Sequence, residues 1–170
     1  MSLVPHWLVA LVALGRLLEL VLSRRNTTRL LASGAHEIGA NHYLFIVAVH
    51  VAWIVSLWMT VPASAPIFWM WFVVYLALEC GRAWVMVTLG RYWTTRIIHL
   101  PEAPLIRGGP YRFCRHPNYV IVCGEIAVLP LVFGQWQIAL IFSILNAGVL
   151  AWRIKIENAA LATRPSGGER

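Results

Sequence analysis

The sequence predicts an all-α integral membrane protein of five transmembrane helices, with one polar loop and a C-terminal helical hairpin. Three observations carry that prediction. Of 170 residues, 59% are apolar and only 12% are charged, against about 25% charged in a soluble domain. The apolar residues fall into five runs close to the length that crosses a bilayer. The basic residues sit in the connections on one side of those runs. One domain over residues 1–162 follows from the length, with a disordered tail at 163–170 marked by Pro165 and two glycines.

The first run covers residues 4–22 and is followed by Arg24, Arg25 and Arg29. It lacks a basic leader and a small-residue cleavage site, so it reads as an anchor and not as a removable signal. The second covers 43–61, and Pro62 and Pro66 bracket the turn after it. The third covers 67–89 and is stopped by Gly90. Residues 91–117 form a polar, arginine-rich connection. The fourth run, 119–133, is short: at 1.5 Å per residue it reaches roughly 22 Å of a ~30 Å core. Gly134 and Gln135 make a tight turn into the fifth, 136–152, which leads into Arg153, Lys155 and Glu157.

Arg91, Arg96, Arg107, Arg112, Arg115, Arg153 and Lys155 share a side with the arginines after the first run. Residues 1–3, 62–66 and 134–135, on the other side, carry no basic group. The asymmetry places the N-terminus outside and the long loop and C-terminus in the cytosol. It also accounts for the net charge of +7 without nucleic acid. Trp7, Trp58, Trp69, Trp93, Trp136 and Trp152 near the run ends fit an interfacial belt. Cys80, Cys114 and Cys123 have no metal-ligand spacing, and Cys80 and Cys123 read as core residues. No metal site is expected.

Charged residues inside a span cost at least ~2.5–3.5 kcal/mol, which makes each a candidate for function. They are Arg16 and Glu19, Glu79 and Arg82, and Glu125. Each of the first two pairs is spaced i, i+3 and could be self-compensating. Glu125 has no partner on its own helix; a structural role and a place on a cavity are both open. Together these groups imply a polar depth shared by several helices, as a cavity opening to the cytosol would show. His50 reads as an interhelical hydrogen-bonding residue.

The densest polar segment is Gly109-Pro110-Tyr111-Arg112-Phe113-Cys114-Arg115-His116-Pro117-Asn118-Tyr119. Pro117 suits a helix's first turn. A helix start there offers unpaired N–H groups to an anion. Arg153 and Glu157, spaced i, i+4, share a face that the short hairpin returns beside this segment. A helix start, two tyrosines and an Arg/Glu face would suit a zwitterionic cofactor with an adenosine group.

This pattern resembles the isoprenylcysteine carboxyl methyltransferase family. That family shows a G-x-Y-(x)4-H-P-x-Y block, an apolar hairpin and R-x-x-x-E-E. Gly109, Tyr111, His116, Pro117, Asn118 and Tyr119 match the block, and Arg153 and Glu157 match the second element. The resemblance covers roughly residues 90–161. It implies an S-adenosylmethionine-dependent methyltransferase whose cofactor meets Pro104, Leu105, Ile106, Tyr111, His116, Pro117, Asn118, Tyr119 and Glu157. Arg153 then contacts the methyl acceptor, and Glu125 could take a proton from a phenolic acceptor if it faces the cavity. The family's second glutamate is Asn158 here, and a frequent loop histidine is Ala103. The chain resembles the short bacterial branch, including members that methylate alkylpyrone or alkylresorcinol lipids, and 89–96 is similar to that branch too. The resemblance also implies an acceptor entering from the bilayer and a place in the bacterial inner membrane. Two other readings stay open: an NADPH-dependent sterol-type reductase, which shares a similar R-H-P-x-Y element, and a small transporter or scaffold. Oligomeric state is not legible.

Overall fold

The computed structural model describes residues 3–101, 103 and 106–162. Five α-helices run in the order α1 (Val4–Ala32), α2 (Ala40–Thr60), α3 (Trp69–Leu89), α4 (Pro117–Val132) and α5 (Trp136–Ala162). Two-residue strands β1 (His36–Glu37) and β2 (Ile98–His99) pair antiparallel, His36 opposite His99. Among the described residues, four helices are long and apolar enough to cross a membrane: α1, α2, α3 and α5. Their outward positions carry bare apolar side chains, such as Leu14, Leu18 and Val21 on α1 and Met70, Val73 and Val87 on α3. In water that surface would be untenable; in lipid it is solvated.

Helix α4 has 16 residues, roughly 24 Å at 1.5 Å per residue. It is packed between α3 and α5, and Glu125, Ile126, Val128, Leu129 and Val132 are buried there. Protein therefore covers much of α4 where lipid would otherwise be. The α3–α4 approach depends on Gly124, whose missing side chain leaves room for Leu78; a Cβ would sit 2.9 Å from that leucine's methyls. The core continues through Trp53 and Leu57 of α2, Val9 of α1, Tyr75 of α3, and Ile138 and Phe142 of α5.

Two helices run past their apolar segments. α1 continues ten residues beyond residue 22, to Ala32, and α5 ten residues beyond 152, to Ala162. The extension of α1 buries Ser23, Asn26 and Thr27, and Ser23 and Asn26 hold it by hydrogen bonds to the connection after α3. The extension of α5 carries Arg153 and Glu157 on the helix itself.

The charged residues inside the helices form one cluster, paired differently from the i, i+3 expectation. Arg16 does bind Glu19, at 3.0 Å, but also Glu79 on α3. Arg82 bonds Glu19 at 2.8 Å and Glu125 at 2.9 Å, and is not bridged to Glu79. Three acids and two guanidiniums thus tie α1, α3 and α4 together. Among the described residues these groups close on one another, which is not the open arrangement expected at this depth.

Smaller expectations change as well. His50 bonds the carbonyl of Ile46 in its own helix, 2.8 Å away, not a neighbouring helix. Cys80 and Cys123 are exposed on outward faces, not in the core. Trp93 is buried and belongs to no interfacial belt.

Candidate functional site

The C-terminal ends of α1, α3 and α5 and the start of α4 meet at one end of the bundle. With described residues of the connection between α3 and α4 they line an open cavity of about 840 Å3. The connection is shaped by two 3-10 turns, Gly90–Tyr92 and Gly109–Arg112, and by the β1–β2 pairing. Arg96 is tied to Glu37, at 2.8 Å, and lies over the Tyr43 ring.

Gly109 has φ +56°, and a Cβ there would run into the Thr88 side chain at the end of α3. Both the dihedral and the contact call for glycine. Gly109→Ala is expected to lower the melting temperature in detergent by several degrees, since an αL alanine costs roughly 1–2 kcal/mol before any clash. Tyr111 follows two residues later and is half-buried on the cavity wall. Burial, then the nearby Glu157 and Cys114, push its phenol up to about 12. At physiological pH it is a hydrogen-bond donor and not a base.

Pro117 opens α4 as its first residue and is buried, outside the cavity lining. His116 and Tyr119 stack, with rings 5.0 Å apart and 10° from parallel. The Tyr119 hydroxyl donates to a Glu157 carboxylate oxygen and accepts from Arg153 Nε at 2.9 Å. Arg153 Nη1 donates to the Thr95 carbonyl at 2.7 Å. The Arg153 charge is buried and held by these two partners. Asn118 lines the cavity, and its buried Oδ1 has no hydrogen-bond partner among the described residues. An orphaned buried oxygen at a cavity wall is a place for a ligand donor.

Among the described residues the lining includes five arginines, Arg96, Arg107, Arg112, Arg115 and Arg153, but one carboxylate, Glu157. The cavity therefore favours anions, except at Glu157.

Of the residues singled out in the sequence, the structure brings Ile106, Tyr111, His116, Asn118, Tyr119, Arg153 and Glu157 to this one cavity. Pro104 and Leu105 lie outside the described residues. Glu125 is not on the cavity. One of its carboxylate oxygens accepts from Arg82 and the other lies 3.5 Å from Arg16. It is therefore not poised to take an acceptor's proton, and the expectation that it faces the site is corrected. Ala103 lines the cavity. Leu30, Trp93 and Thr94 also line it and were not foreseen. The sequence signal for α1's share was Ser23, Asn26, Thr27 and Leu30, at i, i+3, i+4 and i+7 on one face.

The model of the isoprenylcysteine carboxyl methyltransferase (ICMT) family matches residues 69–163. An uncharacterized protein of Bacillus subtilis, YpbQ, is 34% identical over 161 residues, covering 91% of this chain and 94% of that one. An uncharacterized protein of Haemophilus influenzae is 27% identical over 152 residues, 86% of this chain and 88% of that one. No solved structure matches the chain.

Proposed function

Because the chain belongs to the isoprenylcysteine carboxyl methyltransferase family, which implies a membrane methyltransferase, we propose that it uses S-adenosylmethionine to O-methylate a lipophilic acceptor. The acceptor is an alkylpyrone- or alkylresorcinol-type enol or phenol, or a prenylcysteine-like carboxylate. Arg153, Tyr119 and Glu157, hydrogen-bonded in series on one cavity wall, carry the proposal: they set an anion-binding group and a cation-binding group a few ångströms apart.

The residues fit the cofactor. The cavity volume of about 840 Å3 lies within the ~300–1,000 Å3 of small-molecule sites. Glu157 suits an ammonium group, and the unpartnered Asn118 Oδ1 suits an amino or hydroxyl donor. His116, Tyr111, Ile106 and the start of α4 extend the binding surface. S-adenosylmethionine bound there supplies an electrophilic methyl group.

The chain's own part is positioning and charge. Arg153 orients the acceptor oxygen and favours its ionised form, since a neighbouring cation lowers a phenol's pKa. A carboxylate acceptor arrives ionised, and a phenol or enol, its pKa lowered beside Arg153, loses its proton to water before transfer; neither calls on a carboxylate base, which agrees with the engagement of Glu125 elsewhere. Holding two reactants in one geometry can by itself supply much of the rate. The four long apolar helices α1, α2, α3 and α5 support a membrane protein; we take α4 as its fifth span, and the arginine distribution supports a site on the cytosolic side of a bacterial inner membrane. The lipid tail enters from the bilayer.

Purified protein with methyl-labelled S-adenosylmethionine is offered pentadecylresorcinol and, separately, N-acetyl-farnesylcysteine. Label extracted with one of the lipids supports the reading and chooses between phenol and carboxylate. Label in neither, with bacterial lipid extract also negative, counts against an O-methyltransferase of lipids.

A further inference from the structure

The family match begins at residue 69, yet the site is built in part by α1, which lies wholly before it. Ser23 and Asn26 are buried on the extension of α1. Asn26 Nδ2 reaches two backbone carbonyls of the connection, Trp93 at 2.9 Å and Gly90 at 3.2 Å. Ser23 Oγ accepts the Thr95 amide at 2.8 Å and lies 2.8 Å from Thr95 Oγ1. Thr95 Oγ1 also reaches the Tyr43 hydroxyl of α2 at 3.3 Å. The carbonyl of this same Thr95 is what Arg153 Nη1 grips at 2.7 Å.

We propose that Ser23 and Asn26 are positioning residues for the methyl acceptor: they fix the 90–95 turn, and through the Thr95 carbonyl they fix the Arg153 guanidinium. The acceptor part rests on the reading of Arg153 given above. The chain of contacts is continuous from α1 to α5. Both α1 groups are buried, so water does not readily replace them when they are lost. Arg153 has Tyr119 as its other partner, so loosening Thr95 frees one side of the guanidinium and leaves the Tyr119–Glu157 bond in place. The acceptor side of the site should feel the change, and the cofactor side should not. A residue that only tethered α1 to the bundle would affect both sides equally, through loss of folded protein.

Ser23→Ala removes one oxygen, and Asn26→Asp, at unchanged side-chain shape, replaces a donor by an acceptor facing two carbonyls. Three quantities are measured on each: amide hydrogen exchange of peptides spanning 90–97, acceptor KM and kcat, and S-adenosylhomocysteine affinity. The expected result is faster exchange in that segment, a rise of roughly tenfold in acceptor KM, and cofactor-product affinity within about twofold of wild type. Where Asn26→Asp fails to accumulate, Ser23→Ala decides. Unchanged exchange overturns the latch that Ser23 and Asn26 are proposed to form on the 90–95 turn. Faster exchange with unchanged acceptor KM overturns its link to Arg153, and a parallel fall in both affinities reduces it to a tether. Wild type that binds no S-adenosylhomocysteine and methylates no lipid sinks the methyltransferase reading and the acceptor role with it, while the exchange result still decides the latch.

Discussion

Arg82→Ala is expected to cost about 3–5 kcal/mol of stability, the range for breaking a buried ion pair from one side. Arg82 is buried and bonds Glu125 and Glu19 at 2.9 and 2.8 Å. Its removal leaves Glu125, itself buried, with Arg16 at 3.5 Å as its remaining cation. Helix α4 then loses its polar attachment to α3, and α4 carries Asn118 and Tyr119 of the cavity wall. Glu79→Gln makes the contrast. The cluster has three acids against two guanidiniums, and an amide at position 79 still accepts from Arg16 and Tyr75, which Glu79 now does. That variant should stay within about 1 kcal/mol of wild type. Thermal unfolding in detergent, on matched preparations, distinguishes the two. Equal losses would mean that charge balance does not govern the cluster.

Arg153→Ala should lower kcat/KM for the acceptor by about 100- to 1,000-fold, the usual cost of removing a preorganised donor from a reacting oxygen. S-adenosylhomocysteine affinity should stay within about threefold. The separation follows from the bonding: Tyr119 donates to Glu157 whether or not Arg153 is present, so the carboxylate keeps its orientation. Loss of cofactor-product binding in this variant would show that Arg153 serves the cofactor instead.

Much of this was legible in the sequence because bilayers impose simple rules. Apolar length located the helices, and Pro117 and Gly90 marked two of their ends. Spacing alone put Arg153 and Glu157 on one face and aimed it at the His116–Tyr119 segment. Three things were hidden. The helical extensions of α1 and α5 have no apolar signal, since polar bonds such as Asn26 to Trp93 hold α1's extension. The i, i+3 spacing of Arg16/Glu19 and Glu79/Arg82 concealed that the partners cross between helices, because local spacing carries no information on which helices are neighbours. Glu125 looked like a free acid for the same reason. Thr95 was unreadable, since its contribution is a backbone carbonyl and any residue type has one.

The most direct test of the central claim is calorimetric titration of the detergent-purified protein with S-adenosylhomocysteine, and with NADPH, for the wild type and Glu157→Ala. Micromolar binding of S-adenosylhomocysteine, weakened about 100-fold by the substitution, and no binding of NADPH are expected. Binding of NADPH alone, or of S-adenosylhomocysteine with equal affinity in both proteins, would contradict it.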